Sequence, residues 1–287
     1  MHKLTNGEVE VVVSTEFGPR VLELRRANGG ENVFGDLSDE PPKPTPFGDA
    51  WRIRGGHRLW LAPEDPVTTY FPDNGPLVVR GDARGVTVTQ PVEPHTHIEK
   101  EMTLELLGGT RVRVTHRMTN RGALAVDVTL WALSVLRTGG VAILPQPPFA
   151  PFPDALLPAR PIVTWQYVDM KDARFDWGKR FIRVRQDPSM KTPQKIGAFD
   201  VVGTVGYASR GELFVKRHAP MRGTHVDFGC NVEIFVNDKF LEVETLSPTR
   251  RIGPNETAEH VEEWTLLPIG KEDDDQIAVA FAHVSRT

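Results

Sequence analysis

Hydrophobic and polar positions alternate with a period of two along much of this chain. The clearest run is "TRVRVTHRMTN", where Val112, Val114 and His116 fall on one face and Arg111, Arg113, Thr115 and Arg117 on the other. That pattern predicts a half-buried strand, because successive side chains of a strand point to opposite faces. A face with that many cations must meet water or an acidic partner. Similar runs recur as "EVEVVVST", "RVLELRRA", "GVTVTQPV", "IEKEMTLELL", "AVDVTLWALSVL", "NVEIFVND" and "KFLEVETLS". Turn residues separate them. "LGGT", around Gly108 and Gly109, predicts a hairpin between two of the strongest strands. No long segment carries a helical stripe, and the best helix candidate is "KEDDDQIAVAFAHV" near the C-terminus. Many short strands with turns at close intervals predict an all-β sandwich or barrel.

Two proline-dense segments, 39–51 and 144–161, interrupt the pattern. Proline lacks the N–H a central strand must donate, so neither segment is a central strand. The strand pattern is alike on both sides of each. Residues 1–287 are therefore read as one domain with two long loops, and long loops in compact domains are often functional.

Composition removes several function classes. The formal net charge is −4, whereas proteins that grip a phosphate backbone concentrate positive charge. No basic stripe is interleaved with aromatic residues, so single-stranded nucleic acid is not expected either. Cys230 is the one cysteine, which rules out an intrachain disulfide and any multi-cysteine metal site. It is expected at the start of a buried strand, not as a nucleophile. The opening residues carry no secretory h-region, and no apolar stretch approaches the ~18–20 residues of a membrane span. A cytoplasmic protein is the default expectation.

The candidate chemistry begins with "KFLEVETLSP". Alternation puts Phe240, Glu242 and Glu244 on one face and Leu241 and Val243 on the other. A strand with its carboxylate side on a polar cleft has this pattern, and so does one with a solvated outer face. Arg52, Arg54 and Arg58 cluster around "RIRGGHR", where guanidinium forks suit carboxylate or phosphate, or surface ion pairs. Trp51, Trp60, Tyr70 and Phe71 offer flat apolar faces of the kind that stack on sugars, or that fill a core. Arg210, Lys216 and Asp227 are further polar candidates for such a cleft. Among the histidines, His57 follows a Gly-Gly turn that would bring backbone close to a ligand. His95 and His97 share a strand parity with Glu99 and Glu101, and with His116 they offer metal-ligand chemistry. His218 and His225 flank a loop. No phosphate-cradling loop, dinucleotide fingerprint or nucleophile elbow is present.

Three segments carry a family resemblance. "LEVETLSP", followed by a Gly-Pro/Asn turn and a closing strand, is similar to the end of the galactose mutarotase-like superfamily. "RIRGGHRLWLAPED" resembles a segment of its hexose-6-phosphate mutarotase branch, and "FGPRVLELR" resembles its opening strand pair. The three fall in the family's order and span most of the chain. The resemblance implies an antiparallel β-supersandwich and a carbohydrate or sugar-phosphate ligand, and it implies no cofactor. It also implies that a glutamate takes the anomeric hydroxyl proton while a histidine protonates the ring oxygen. Carried over, the base falls on Glu244, with Glu242 as a like-charged neighbour that raises its pKa. Arg54 matches the arginine associated with the anionic group. The family's histidine has no counterpart, because "LWALSVLRTGG" carries Leu133 at that place. His57, inside the matched segment, is the substitute the resemblance favours. The leading expectation is therefore an aldose or sugar-phosphate 1-epimerase. A non-catalytic carbohydrate-binding protein and a metal-assisted sugar-acid enzyme centred on His95 and His97 are the alternatives. The oligomeric state is left open.

Overall fold

The computed structural model describes residues 1–286, and antiparallel strands dominate it. One ten-stranded sheet runs in the order His2–Thr5, Val9–Val13, Arg20–Arg26, His57–Ala62, Val126–Leu136, Leu241–Leu246, Val232–Val236, Gln194–Ala198, Ile162–Thr164, with Arg250–Ile252 joined to Val126–Leu136. The second has Phe175–Trp177, Phe181–Arg185, Val141–Pro145, Thr204–Ser209, Glu212–His218, Thr257–Pro268, Arg111–Asn120, Ile98–Gly108, Gly85–Thr89 and Val78–Gly81. The expected all-β sandwich is what forms.

The main core lies between the sheets. Val11, Leu24, Leu130 and Val243 of the first sheet pack with Val112, Val114, Met102 and Trp264 of the second. The alternating run behaves as its pattern demands. Val112, Val114 and His116 are buried, while Arg113 pairs with Glu263 at 2.8 Å and Arg117 with Glu101 and Glu259 at 3.1 and 2.9 Å. The cationic face thus meets acidic neighbours on the adjoining strands. Gly108 and Gly109 turn the hairpin at positive φ, as the turn chemistry requires. The helix candidate forms as Asp274–Arg286. It seats Ile277, Phe281 and Val284 on Val141, Phe181 and Leu213 on the outer face of the second sheet. Among the described residues no helix is long and apolar enough to cross a membrane.

The first proline-dense segment joins Asp36–Leu37 to Arg54–Gly55, which pair as a small two-stranded sheet, and the second connects the two large sheets. The first folds back on itself through backbone hydrogen bonds between Lys43 and Trp51. The second leaves Val141–Pro145 in one sheet and enters Ile162–Thr164 in the other, exposing Phe152 and Leu157.

Packing is tight where Gly197 crosses Cys230. A Cβ on Gly197 would stand 2.4 Å from Cys230 Sγ. Gly197→Ala is therefore expected to cost about 1–3 kcal/mol of stability through overpacking, measured as a lowered urea midpoint. Cys230 itself is buried, and burial pushes its thiol well above the usual range, as an inert core cysteine requires.

Candidate active site

Five neighbouring strands of the first sheet build one polar surface. Strand parity selects the side chains, and register lines them up. Leu133 pairs with both Arg58 and Glu244, and Glu244 pairs in turn with Glu233. The adjoining row holds Glu242, Phe235 and Lys195. A third row holds Trp60, Trp131 and Leu246. The surface forms the floor of a cleft of about 340 Å³, walled by Trp51, Tyr70, Tyr167 and Phe240. Its walls are mostly aromatic and its floor is charged, the composition of a site that orients a small polar ligand.

The charges on the floor are paired but not saturated. Arg58 Nη2 donates to Glu242 Oε1 at 2.8 Å, and its guanidinium stacks 4.2 Å from the Trp60 ring centre. Arg58 Nε and Nη1 have no acceptor among the described residues. Glu244 Oε2 accepts from Trp131 Nε1 at 2.8 Å and from Lys195 Nζ at 3.0 Å. Glu244 Oε1 is buried and has no partner among the described residues. Lys195 Nζ also stands 2.6 Å from Glu233 Oε2. Burial raises the Glu242 carboxyl above the ordinary carboxylate range, against the pull of Arg58. Burial also raises Glu233, and the neighbouring Glu244 charge adds to it. For Lys195, burial alone would lower the ammonium pKa, but the charges of Glu233 and Glu244 hold it well above its usual value. The Tyr70 hydroxyl donates to Glu64, and burial with that bond keeps the phenol protonated.

Of the residues singled out by sequence, Glu242, Glu244, Arg58, Trp60, Tyr70 and Trp51 line this cleft together. Arg54 does not. Its guanidinium packs on Phe17, donates to Asn74 at 2.7 Å and faces a separate surface pocket shared with Arg52. Phe71 packs on Phe47. Arg210 pairs with Glu31, Asp227 contributes its carbonyl to Cys230, and neither reaches the cleft. The Gly-Gly turn serves the fold and approaches backbone rather than a ligand. A Cβ on Gly55 would stand 2.0 Å from the Gly35 carbonyl oxygen, and one on Gly56 2.2 Å from that of Val21.

His57 is not in the cleft either. It precedes Arg58 on one strand, so its side chain takes the opposite face and lies fully buried between the sheets. There it joins a polar network directly beneath the floor. His116 Nδ1 donates to the His260 carbonyl at 3.0 Å, which leaves Nε2 of the neutral ring as an acceptor. His57 Nε2–H donates to it at 2.8 Å, and His57 Nδ1 accepts from Ser134 at 2.9 Å. The Thr245 hydroxyl donates to Glu262 and accepts from His260 Nε2 at 2.7 Å. Lys216 Nζ stands 2.8 Å from Glu262 Oε1, with the carbonyl oxygens of Ala132 and Val243 at 3.3 and 3.2 Å. Trp264 Nε1 donates to Glu262 Oε2 at 2.8 Å. Burial keeps all three histidines below their usual pKa, His260 at about 3. Burial works to raise the Glu262 carboxyl, but Lys216 and the three surrounding histidines together hold it below its ordinary range.

The ring nitrogens of His57 and His116 and a Glu262 oxygen lie within 4.8 Å of one another, a spacing compatible with metal ligation. The direct hydrogen bond between the two Nε2 atoms and the Lys216 cation beside Glu262 already use these groups. The other metal candidates are not brought together. His95 packs on Phe47 at 4.2 Å, Glu99 pairs with Arg121 at 2.8 Å, Glu101 pairs with Arg117, and His116 lies in the core. His218 pairs with Asp200 at 3.2 Å, and His225 donates to the Met221 carbonyl.

Lys195 and Glu233 are not among the sequence candidates, although Lys195 lines the cleft and Glu233 pairs with it beside Glu244. "QKIGA" and "NVEIF" alternate normally, but nothing local reveals that these strands lie beside Leu241–Leu246.

Several solved structures share this architecture. A galactose mutarotase-like protein from Lactobacillus casei superposes with a TM-score of 0.59 at 11% identity, covering 93% of this chain and 100% of that one. A provisional aldose 1-epimerase from Escherichia coli gives 0.59 at 10% identity, covering 93% and 99%. A galactose mutarotase related enzyme from Lactobacillus acidophilus gives 0.54 at 11% identity, covering 94% and 98%. No family model matches the chain, and no curated protein matches it. The chain has the galactose mutarotase-like β-sandwich fold. At these identities the likeness is one of fold, and activity must be argued from the cleft.

Proposed function

We propose that this chain binds a sugar in the cleft and interconverts its anomers, with Glu244 as the general base. The supporting observation is the unpartnered Glu244 Oε1, buried on the floor of an aromatic-walled cleft while Oε2 is fixed by Trp131 and Lys195. A carboxylate held by one oxygen presents the other in a set direction. There it meets an anomeric hydroxyl and removes its proton as the C1–O5 bond opens. Rotation about C1–C2 and reclosure give the other anomer. Trp60, Tyr70 and Trp131 supply apolar faces for the ring, and the free N–H groups of Arg58 meet its oxygens. The test is anomer exchange measured by NMR. Wild type is expected to accelerate it, and Glu244→Gln to slow the enzymatic rate by about 10²–10⁴-fold with binding retained. Glutamine keeps an acceptor for Trp131 but has no basic oxygen.

A second reading is a sugar receptor without catalysis. It is favoured by Leu133, which sits directly across from Glu244, and by a cleft lining that holds no histidine among the described residues. It requires binding with no acceleration in either protein.

A further inference from the structure

We propose that Lys195 is the proton donor of this site, delivering a proton to the ring oxygen while Glu244 accepts one from the anomeric hydroxyl. The inference rests on the epimerase reading of Glu244. Leu133 leaves the position across from Glu244 without an acid, and Lys195 reaches the same carboxylate from two strands away. Glu233 and Glu244 occupy two directions around its ammonium, at 2.6 and 3.0 Å. The indoles of Trp131 and Trp165 flank it, each 4.7 Å from Nζ, and Lys195 lines the cleft. Anomeric O1 and ring O5 hang on the same carbon. A ring whose O1–H meets Glu244 Oε1 therefore brings O5 to the neighbourhood of the cation bonded to Glu244 Oε2.

The two transfers are coupled by charge. Glu233 and Glu244 together hold the proton on Lys195, with Glu242, Tyr167 and Cys230 the other titratable groups around it. When Glu244 takes the O1 proton it becomes neutral, and one of the two anions restraining the ammonium is gone. Lys195 becomes the stronger acid at the moment O5 becomes basic. The O1–H bond breaks, the C1=O1 double bond forms, C1–O5 breaks, and an N–H proton of Lys195 moves to O5. The product is the open-chain hydroxyaldehyde, with Glu244 protonated and Lys195 neutral, and reclosure runs the same transfers backward. A lysine donor differs observably from a histidine donor, since it stays charged far above pH 6.5.

The experiment is NMR anomer exchange with D-glucose, D-galactose and their 6-phosphates, on wild type, Lys195→Met, Lys195→Arg and Glu244→Gln. Folding is checked by near-UV circular dichroism. Arginine keeps the cation but does not surrender its proton. Lys195→Arg is expected to bind within a few-fold of wild type and to lose about 10²-fold or more in kcat. The wild-type kcat is expected to stay level between pH 6.5 and about 9, without the inflection that a histidine of ordinary pKa gives. The pH profile stands on its own should the lysine variants misfold. Wild-type turnover in Lys195→Arg, or a fall in kcat as pH rises through 6.5, overturns the lysine donor while Glu244 remains the base. Full turnover in Glu244→Gln, or no acceleration by wild type on any of the four sugars, overturns the epimerase reading and the lysine with it.

Discussion

Replacing Lys216 by methionine is expected to lower the unfolding free energy by about 3–5 kcal/mol at neutral pH, seen as a reduced urea midpoint. Lys216 and Glu262 are fully buried between the sheets, 2.8 Å apart. Methionine fills much of the lysine's volume but leaves the Glu262 carboxylate without its cation. Thr245 and Trp264 still donate to it, yet neither carries a charge. The loss is a large part of the roughly 5–15 kcal/mol that separates folded from unfolded domains. It should shrink below about pH 5, where the unpaired carboxyl can protonate. Removing both charges in Lys216→Met/Glu262→Gln is expected to return at least half of the lost stability, because a neutral amide costs far less to bury than an anion. A double mutant no better than the single one would mean that the charge is not what the lysine neutralises.

The second large effect is acid sensitivity. His57, His116 and His260 are buried and neutral, each with its folded pKa below the ordinary histidine value of 6.5. The unfolded chain therefore binds more protons than the folded one as pH drops below about 6.5. Stability should be level above pH 7 and decline below it, by up to about 1.4 kcal/mol per pH unit for each histidine. For His260 the decline continues to about pH 3. Glu262 adds a loss of the same sign below its unfolded value of 4.5, since its folded pKa is depressed. Urea midpoints measured from pH 8 to pH 4 give the slope directly, and His57→Gln should reduce it by about one histidine's share. Constant stability from pH 8 down to pH 5 would show that these rings titrate in the fold as they do in the unfolded chain.

Much of the sandwich could be read from the chain because its signals are local. The alternation of "TRVRVTH" placed its valines and histidine inward and its arginines outward, and the Gly-Gly turn placed the hairpin. The two glutamates of "LEVETL" likewise share the cleft face, because parity within a strand is independent of the rest of the fold. Two things lay beyond local signals. Lys195 and Glu233 become neighbours of Glu244 only through a sheet order in which the five floor strands come from residues 57 to 246, far apart in sequence. Parity also says which residues share a face, not which face meets the cleft. His57 and Arg58 are adjacent on a strand, so they had to part company. Its place inside the family-like segment favours His57, and the pleat sends it to the core.

The strand Leu241–Leu246 carries function on one side and structure on the other. Glu242 and Glu244 face Arg58 and Lys195, while Thr245 on the reverse side bonds Glu262 and His260. Sliding it by one residue would exchange these faces. Val243 and Thr245 would then meet the cleft cations, and the glutamates would be pushed toward Glu262, anion against anion. Hydrophobic patterning alone would resist such a slip only weakly, since the residues on both faces of this strand are buried. The charges above and below act as a two-sided key. A misregistered sheet is thereby penalised by the same carboxylates that the cleft requires.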